Sequence, residues 1–355
     1  MAQELYIATN NGDIGGGEVM LLNIARAARS LGYRVTIIGN ARVQRFERVV
    51  AATRDEAAAD EGFARVVLPA RTRSQYMMQL RAWHSAHKKV LLWCNGLVPA
   101  AATGGRKNRI VHLHQIPEGL NAKLVPFARR KASATLVPSN FMARQIKDAQ
   151  VLSNWVSEVP TALKHDNTDV IRVGFIGRLS PIKGIVPLCK AIATLTQGGG
   201  AYRLVVAGEP VFTSEVEQEQ VERSLSRIAE HTERLGWATP EALFNNVDML
   251  VVPSTWEEPF GLVAAEAMSA RVPLIVSDSG ALPEIVGENY PYIVPKGDEA
   301  ELARTISIVA EQLSSDSEKL TNTVSDAFWR WQELYSPEAG KERVREILEQ
   351  HISPA

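Results

Sequence analysis

Val173-Gly174-Phe175-Ile176-Gly177-Arg178-Leu179-Ser180-Pro181-Ile182-Lys183-Gly184 places an apolar, strand-like run directly before a glycine-bounded loop that carries two cations. A helical segment follows, and Pro187 falls in its first turn, where a missing N–H costs little. A diphosphate needs cations and the free N–H groups of a helix start, and this stretch supplies both. The plainer alternative is a solvated basic loop. It fits less well because the surroundings are acidic: residues 161–355 hold 17 Lys and Arg against 29 Asp and Glu. Ligands of open α/β sheets bind at the carboxyl ends of strands, so the stretch reads as one βα step of a doubly wound domain.

Working outward, the same alternation recurs on both sides. Short β-rich runs at Leu5–Ala8, Val35–Ile38, Val66–Leu68, Val90–Trp93, Ile110–Leu113 and Thr135–Val137 precede this stretch. Arg203–Ala207, Met249–Val252 and Leu274–Val276 follow it. Between several of these runs lie segments with helical spacing, such as Leu21-Leu22-Ile24-Ala25-Ala28-Leu31, closed by Gly32. Repeated βα alternation implies parallel sheets with helices on both faces, and two series imply two Rossmann-like domains. The chain's 355 residues suit two cores. The boundary is expected near residues 154–170, where Pro160 and the polar run from Lys164 to Asp169 break the periodicity. This gives domains at 1–160 and 161–330, with a final segment, 331–355, as a helix packing back on the N-terminal domain.

Composition bounds the function. No window approaches the roughly 18 unbroken apolar residues of a membrane span. The two cysteines, Cys94 and Cys189, lie in apolar settings and read as buried free thiols, so a cytoplasmic location is expected. No Cys/His cluster has metal-ligand spacing, and no Asp-x-Asp occurs, so no metal is expected. Residues 1–160 hold 22 Lys and Arg against 11 Asp and Glu, a balance of +11. Basic and apolar residues interleave at Arg71–Met78, Arg81–Trp83 and Phe127–Lys131. Two solvated helix faces explain this, and so does an anionic membrane surface or a phosphorylated acceptor. Nucleic acid is not an expected partner, because the chain as a whole is not basic and carries no recognition motif.

Two further segments carry chemistry. Gly15-Gly16-Gly17-Glu18 falls between the first strand and the first helix, where glycines let a backbone approach a ligand closely. It is not the spaced dinucleotide fingerprint, since Gly12 and Gly15 have the wrong spacing, and alone it reads as a plain turn. Pro253-Ser254-Thr255-Trp256-Glu257-Glu258-Pro259-Phe260-Gly261-Leu262-Val263-Ala264-Ala265-Glu266 sets two carboxylates eight residues apart. On one helix they would point about 80° apart. Pro259 and Gly261 instead put Glu258 before the helix and Glu266 within it, so that both can face one ligand. Glu266 lies among Ala and Met, where a bare carboxylate is costly and sugar hydroxyls are good partners.

These three segments, in this order, resemble the retaining glycosyltransferases of the GT-B fold, family 4, over nearly the whole chain. Ser279-Gly280-Ala281-Leu282-Pro283-Glu284-Ile285-Val286 is similar to that family's Gly-Gly-x-Pro-Glu-x-Val segment. The resemblance implies two Rossmann-like domains facing each other across a cleft, and it implies roles. Arg178 and Lys183 would hold the donor diphosphate, approached by Gly16 and Gly17. Glu266 would accept hydrogen bonds from the ribose, and Glu258 from the donor sugar, beside the backbone of Phe260, Gly261 and Leu262. Trp237, in the loop Gly236-Trp237-Ala238, would contact the base. His114, in His114-Gln115-Ile116-Pro117, would lie near the reacting centre, with His112 as the competing choice and Ser139 as a small polar neighbour on the acceptor side. His114, Glu258, Arg178 and Lys183 are thus the implied catalytic set.

The chain departs from that pattern at Arg271-Val272-Pro273, where a glycine is usual, at Gly32-Tyr33, where Gly-His is usual, and at Gln115, where Asp is usual. The function implied is metal-independent transfer of a hexose-type sugar, with retention and without a cofactor. The donor is a nucleoside diphosphate sugar. The acceptor is a glycan, a lipid-linked or a phosphorylated molecule, in polysaccharide or envelope glycan synthesis at the inner face of a membrane. The rival readings are a sugar-nucleotide epimerase or phosphorylase on the same fold, and a non-catalytic nucleotide-sugar binding protein.

Overall fold

Strands form where Val, Ile and Leu run together, and in the central strands those runs are buried on both faces, as parallel sheets require. The computed structural model describes residues 3–10, 15–40, 63–161, 170–211 and 213–351. The expected polar linker from Lys164 to Asp169, and Gly12, lie outside the described residues. The described part divides into two units, one running up to Trp155 and resuming at Pro337, the other from Val156 to Ser336. The unit boundary therefore falls five residues before the expected 160/161 break, and again at 336/337.

The first unit holds β1 (Glu4–Ala8), β2 (Arg34–Asn40), β3 (Ala64–Leu68), β4 (Leu91–Asn95), β5 (Arg109–His112), β6 (Ala134–Val137) and β7 (Gln150–Val151). They form one sheet of order β3-β2-β1-β4-β5-β6-β7, parallel throughout. Its helices are α1 (Gly16–Ser30), α2 (Arg73–Ala86), α3 (Leu97–Ala102), α4 (Gly119–Arg129) and α5 (Asn140–Gln145). α1 buries Met20, Leu21, Ile24, Ala25 and Ala28. It ends before Gly32, whose φ of +89° lets the chain turn into β2.

The second unit holds β8 (Ile171–Ile176), β9 (Tyr202–Ala207), β10 (Thr232–Gly236), β11 (Met249–Val252), β12 (Leu274–Ser277) and β13 (Ile293–Val294). They form a parallel sheet of order β10-β9-β8-β11-β12-β13. Its helices are α6 (Ile185–Gln197), α7 (Glu215–Ser226), α8 (Pro240–Phe244), α9 (Leu262–Ser269), α10 (Leu282–Val286), α11 (Glu299–Ser314) and α12 (Glu318–Leu334). Alternate strand residues enter separate cores. Val205, Leu250 and Leu274 join α8, α9 and α12, whereas Val173, Leu204, Met249 and Ile275 join α6, α7 and α11. That alternation is the period-2 signature of a sheet covered on both sides.

The end of the chain serves both units. Phe328, Trp331 and Tyr335 are buried in the second unit, and the Trp331 indole N–H donates to the Val156 carbonyl at 3.2 Å. The last helix, α13 (Pro337–His351), packs on α1 in the first unit. There Gly340 lies over the Trp155 ring, where a Cβ would come within 2.1 Å, and Arg343 donates to the Ser153 carbonyl at 3.2 Å.

Candidate active site

In the second unit the loop after β8 is shaped by close backbone contact. Gly208, just after β9, has φ +138°, and a Cβ there would lie 1.8 Å from the Gly177 carbonyl oxygen. Leu179 is buried and anchors the loop, a short 3-10 turn spans Pro181–Lys183, and Gly184 follows with φ +79°. A Cβ on Gly184 would come within 1.7 Å of the Pro253 oxygen. Only glycine allows that approach, and through it the loop rests on the segment after β11. The Ile182 carbonyl accepts from both Thr255 N–H (3.0 Å) and Trp256 N–H (3.2 Å).

The two sequence-expected loops are thereby one structure, and their charged groups meet. Lys183 Nζ donates to Glu258 Oε1 at 2.5 Å, and Ser254 Oγ donates to the same oxygen at 2.6 Å. Glu258 is buried, so these two donors offset the desolvation of its carboxylate. Arg178 differs: the residue is half-buried, and its guanidinium makes no hydrogen bond or ion pair among the described residues, acting on Glu217 only at a distance. The Ser180 hydroxyl beside it in sequence is buried without a partner among the described residues. Phe260 packs edge-on against Tyr335 at 5.4 Å in the core, so only its backbone faces the loop. Gly261 caps α9 with φ +103°, and Leu262 opens the helix that carries buried Glu266. Trp237 follows β10 with its indole largely exposed.

A third segment holds the Glu258 loop from the other side. The Glu258 carbonyl accepts from Ala281 N–H at 2.8 Å, Glu257 Oε2 accepts from Gly280 N–H at 2.9 Å, and Ser279 Oγ donates to the Trp256 carbonyl. Lys296 pairs with the other Glu257 oxygen, which raises the lysine's pKa. Ser254, Glu257 and Lys296 were not among the sequence-expected site residues. Ser254 and Glu257 lie inside the quoted motif, whereas Lys296 sits in a turn after β13 that gives no sequence signal. Arg271, standing where glycine is usual, takes φ +54°, and its guanidinium stacks 3.4 Å over the Phe328 ring. The missing glycine is replaced by a strained arginine with a compensating contact.

In the first unit α1 begins at the glycine loop. Glu18 Oε2 accepts from the Gly15 N–H at 3.2 Å, so that glutamate closes the helix start. Gly17 faces protein: a Cβ there would lie 3.0 Å from His114 Cδ2. His114 follows β5, and its Nε2 lies 2.7 Å from Asn95 Oδ1, while Asn95 Nδ2 donates to the Gly17 carbonyl at 3.1 Å. Part of His114 stays accessible, yet its ring is desolvated and its pKa is pushed down to about 4. His112, the competing histidine, is fully buried on β5 with its ring 4.1 Å from that of His114. Burial holds it neutral, and neither ring nitrogen has a partner among the described residues. Ser139 is fully buried, and its Oγ accepts from Met142 N–H at 3.2 Å as the N-cap of α5. That cap accounts for a small polar residue there without any ligand. Gly17, Asn95 and His114 thus come together in one unit, and Lys183, Ser254 and Glu258 in the other. Among the described residues, no three His, Cys, Asp or Glu side chains are grouped as a metal site needs.

Comparison with known proteins places this geometry. Residues 14–165 match the family model described as Glycosyltransferase Family 4, and residues 171–312 the one described as Glycosyl transferases group 1. The lipopolysaccharide 1,2-N-acetylglucosaminetransferase of Salmonella typhimurium is 29% identical over 162 residues, 44% of this chain and 41% of that protein. A capsular polysaccharide biosynthesis glycosyltransferase of Staphylococcus aureus is 27% identical over 185 residues, 51% of this chain and 45% of its own. The chain thus spans under half the length of these curated relatives. Among solved structures, Anabaena HepE in complex with UDP and glucose superposes with a TM-score of 0.78 at 20% identity, covering 98% of this chain and 99% of that one. Sucrose-phosphate synthase from Thermosynechococcus elongatus gives 0.78 at 17%, covering 98% of both. The fold is that of the GT-B glycosyltransferases.

Proposed function

The chain belongs to the family 4, group 1 glycosyltransferases, and on that premise we propose that it moves a hexose-type sugar from a nucleoside diphosphate sugar to a glycan, lipid-linked or phosphorylated acceptor, with retention and without a metal. One observation carries the reading: a loop whose Arg178 has no hydrogen bond or ion pair among the described residues, and whose Lys183 is paired to Glu258, rests on the very loop that bears Glu258. Cations suited to a diphosphate and a carboxylate suited to sugar hydroxyls are thereby one ion pair apart. When phosphate arrives, Arg178 and Lys183 stabilise charge growing on the leaving group, and the carboxylate and Lys183 exchange each other for ligand. Glu266 serves the ribose and Trp237 the base. HepE is a structure with UDP bound, which makes UDP-sugars the first donors to try.

An anionic membrane contact belongs to the same reading, and exposed apolar residues support α4 rather than α2 as its position. Trp83 of α2 is only half-exposed, with its indole stacked on His87 at 4.2 Å and leaning on Tyr6 at 4.9 Å. Of its large apolar residues α2 exposes only Met78, whereas α4 exposes three, Leu120, Leu124 and Phe127. Among the described residues no helix is long and apolar enough to cross a bilayer.

Turnover decides the reaction class. The protein is incubated in EDTA with UDP-, GDP- and ADP-sugars, with and without saccharide and phospholipid-linked acceptors, and products are read by NMR. Acceptor-dependent loss of donor, with the anomeric configuration kept, is expected. Isomerised donor without acceptor would mean an epimerase, release of sugar phosphate a phosphorylase, and binding without turnover a non-catalytic protein. Turnover that needs added magnesium would overturn the metal-free reading.

A further inference from the structure

The structure assigns Asn95 as the positioning residue of His114: it dictates that Nε2 carries the ring proton and that Nδ1 is the lone pair offered to a hydroxyl group. That the hydroxyl belongs to a sugar rests on the proposed transfer; the protonation pattern does not.

The atoms involved have no choice of role. The Gly17 carbonyl can only accept, so the Asn95 atom 3.1 Å from it is the amide nitrogen. Asn95 Oδ1 therefore faces His114 Nε2, at 2.7 Å. An amide oxygen can only accept, so Nε2 must bear hydrogen. A neutral imidazole has one N–H, which leaves Nδ1 bare, and Nδ1 has no partner among the described residues. Desolvation keeps the ring neutral at pH 7.

Three elements hold this arrangement. The β4–β5 register sets Asn95 opposite His112, the last residues of their strands. The His112 ring bounds His114 at 4.1 Å, and Gly17 of α1 leaves just enough room for its edge. The titratable groups on these elements do not compete for the proton. Glu18 of α1 turns to the Gly15 N–H, Cys94 of β4 bonds Thr103, and His112 is held neutral. A buried acceptor with no partner is costly, so a hydroxyl that donates is the ligand chemistry that Nδ1 suits.

The test is NMR of the ligand-free protein with 15N-labelled histidine at pH 7, with the His114 signals identified by their loss in His114→Gln. Nε2 protonated and Nδ1 bare is expected; the opposite tautomer, or an imidazolium, overturns the assignment. The second arm is Asn95→Asp, whose carboxylate holds a proton on the ring to higher pH. The acid limb of kcat/KM should move up by about one to two pH units, with kcat falling more than KM changes. Asn95→Leu should give mixed tautomers. An acid limb and a His114 spectrum unchanged in folded Asn95→Asp would also overturn it. Should Asn95→Leu fail to fold, the wild-type and Asn95→Asp spectra still decide. The spectrum needs no donor, so failure of the sugar-transfer reading appears as absent turnover with the tautomer intact.

Discussion

Arg178 and Lys183 carry the same formal charge, but the free protein treats them differently, and this separates their variants. Lys183 neutralises buried Glu258, so Lys183→Ala removes a cation and leaves that carboxylate with Ser254 as its remaining side-chain donor among the described residues. A buried group deprived of a partner costs roughly 1–3 kcal/mol, and thermal unfolding should show it. Arg178 has no such duty, so Arg178→Ala should leave the melting temperature unchanged. Each variant should weaken UDP binding by about tenfold or more, because each loses a charge-assisted contact of roughly 1.5–3 kcal/mol. Calorimetry reads the affinity; unchanged affinity in both variants would remove the loop from the donor site. At this scale the sequence is informative where a residue type is costly. A carboxylate among alanines or an arginine between glycines announces itself. Asn95 does not, since one amide ending an apolar strand looks like any strand end, and its meaning comes only from the β4–β5 register. Ser139 is ambiguous for another reason, since a hydroxyl before a helix serves as a cap as readily as it serves a ligand.

Elements were legible in proportion to their apolar content. The central strands of both sheets follow from Val- and Ile-rich runs, because central strands are buried on both faces. β7 and β13 have two residues each, and β10, Thr-Glu-Arg-Leu-Gly, is a polar edge strand; none stands out from loop composition. The loops were legible where backbone crowding demands glycine. Gly280 has φ +60°, and a Cβ would lie 2.3 Å from the backbone nitrogen and oxygen of Glu258. Gly280→Ala therefore meets left-handed strain of roughly 1–2 kcal/mol and a clash with backbone, which cannot swing aside like a side-chain tip. The expected outcome is a stability loss of about 2 kcal/mol or more in urea unfolding, with impaired turnover because Glu258 shifts. Wild-type stability and turnover in this variant would show that the 279–282 segment does not position the Glu258 loop. Arg271 marks the opposite case, where a left-handed position carries a side chain and the Phe328 stack helps to offset its strain.

Across the whole molecule, charge is divided rather than balanced: +11 over residues 1–160 and −12 over residues 161–355. A surface excess of that size acts at a distance, but only where apolar residues accompany it does it suit a membrane. α4 meets this condition. It buries Ala128 alone, while Leu120 is 79% and Phe127 45% exposed, with Leu124 between them on the same side. Lys123, Arg130 and Lys131 are exposed on or beside the helix. The Phe127 ring lies over Gly104, whose carbonyl accepts from Arg81 at 3.3 Å, so a further cation borders the apolar stripe. A phosphorylated acceptor free in solution would explain the charge but not the stripe. Salt cannot separate the two, because it screens both. Composition of a vesicle can. Sedimentation with phosphatidylglycerol vesicles but not with phosphatidylcholine vesicles is expected at low ionic strength. Leu120→Ser with Phe127→Ser should reduce binding about tenfold or more, since each apolar side chain contributes on the order of 1 kcal/mol on partial burial. Lys123→Glu with Lys131→Glu should reduce it as well, whereas Lys88→Glu with Lys89→Glu, beyond the end of α2, should matter less. Protein that stays in the supernatant with anionic lipid would end the membrane reading. If the serine variants sediment as well as the wild type, the charge acts without the stripe and α4 is not the docking element.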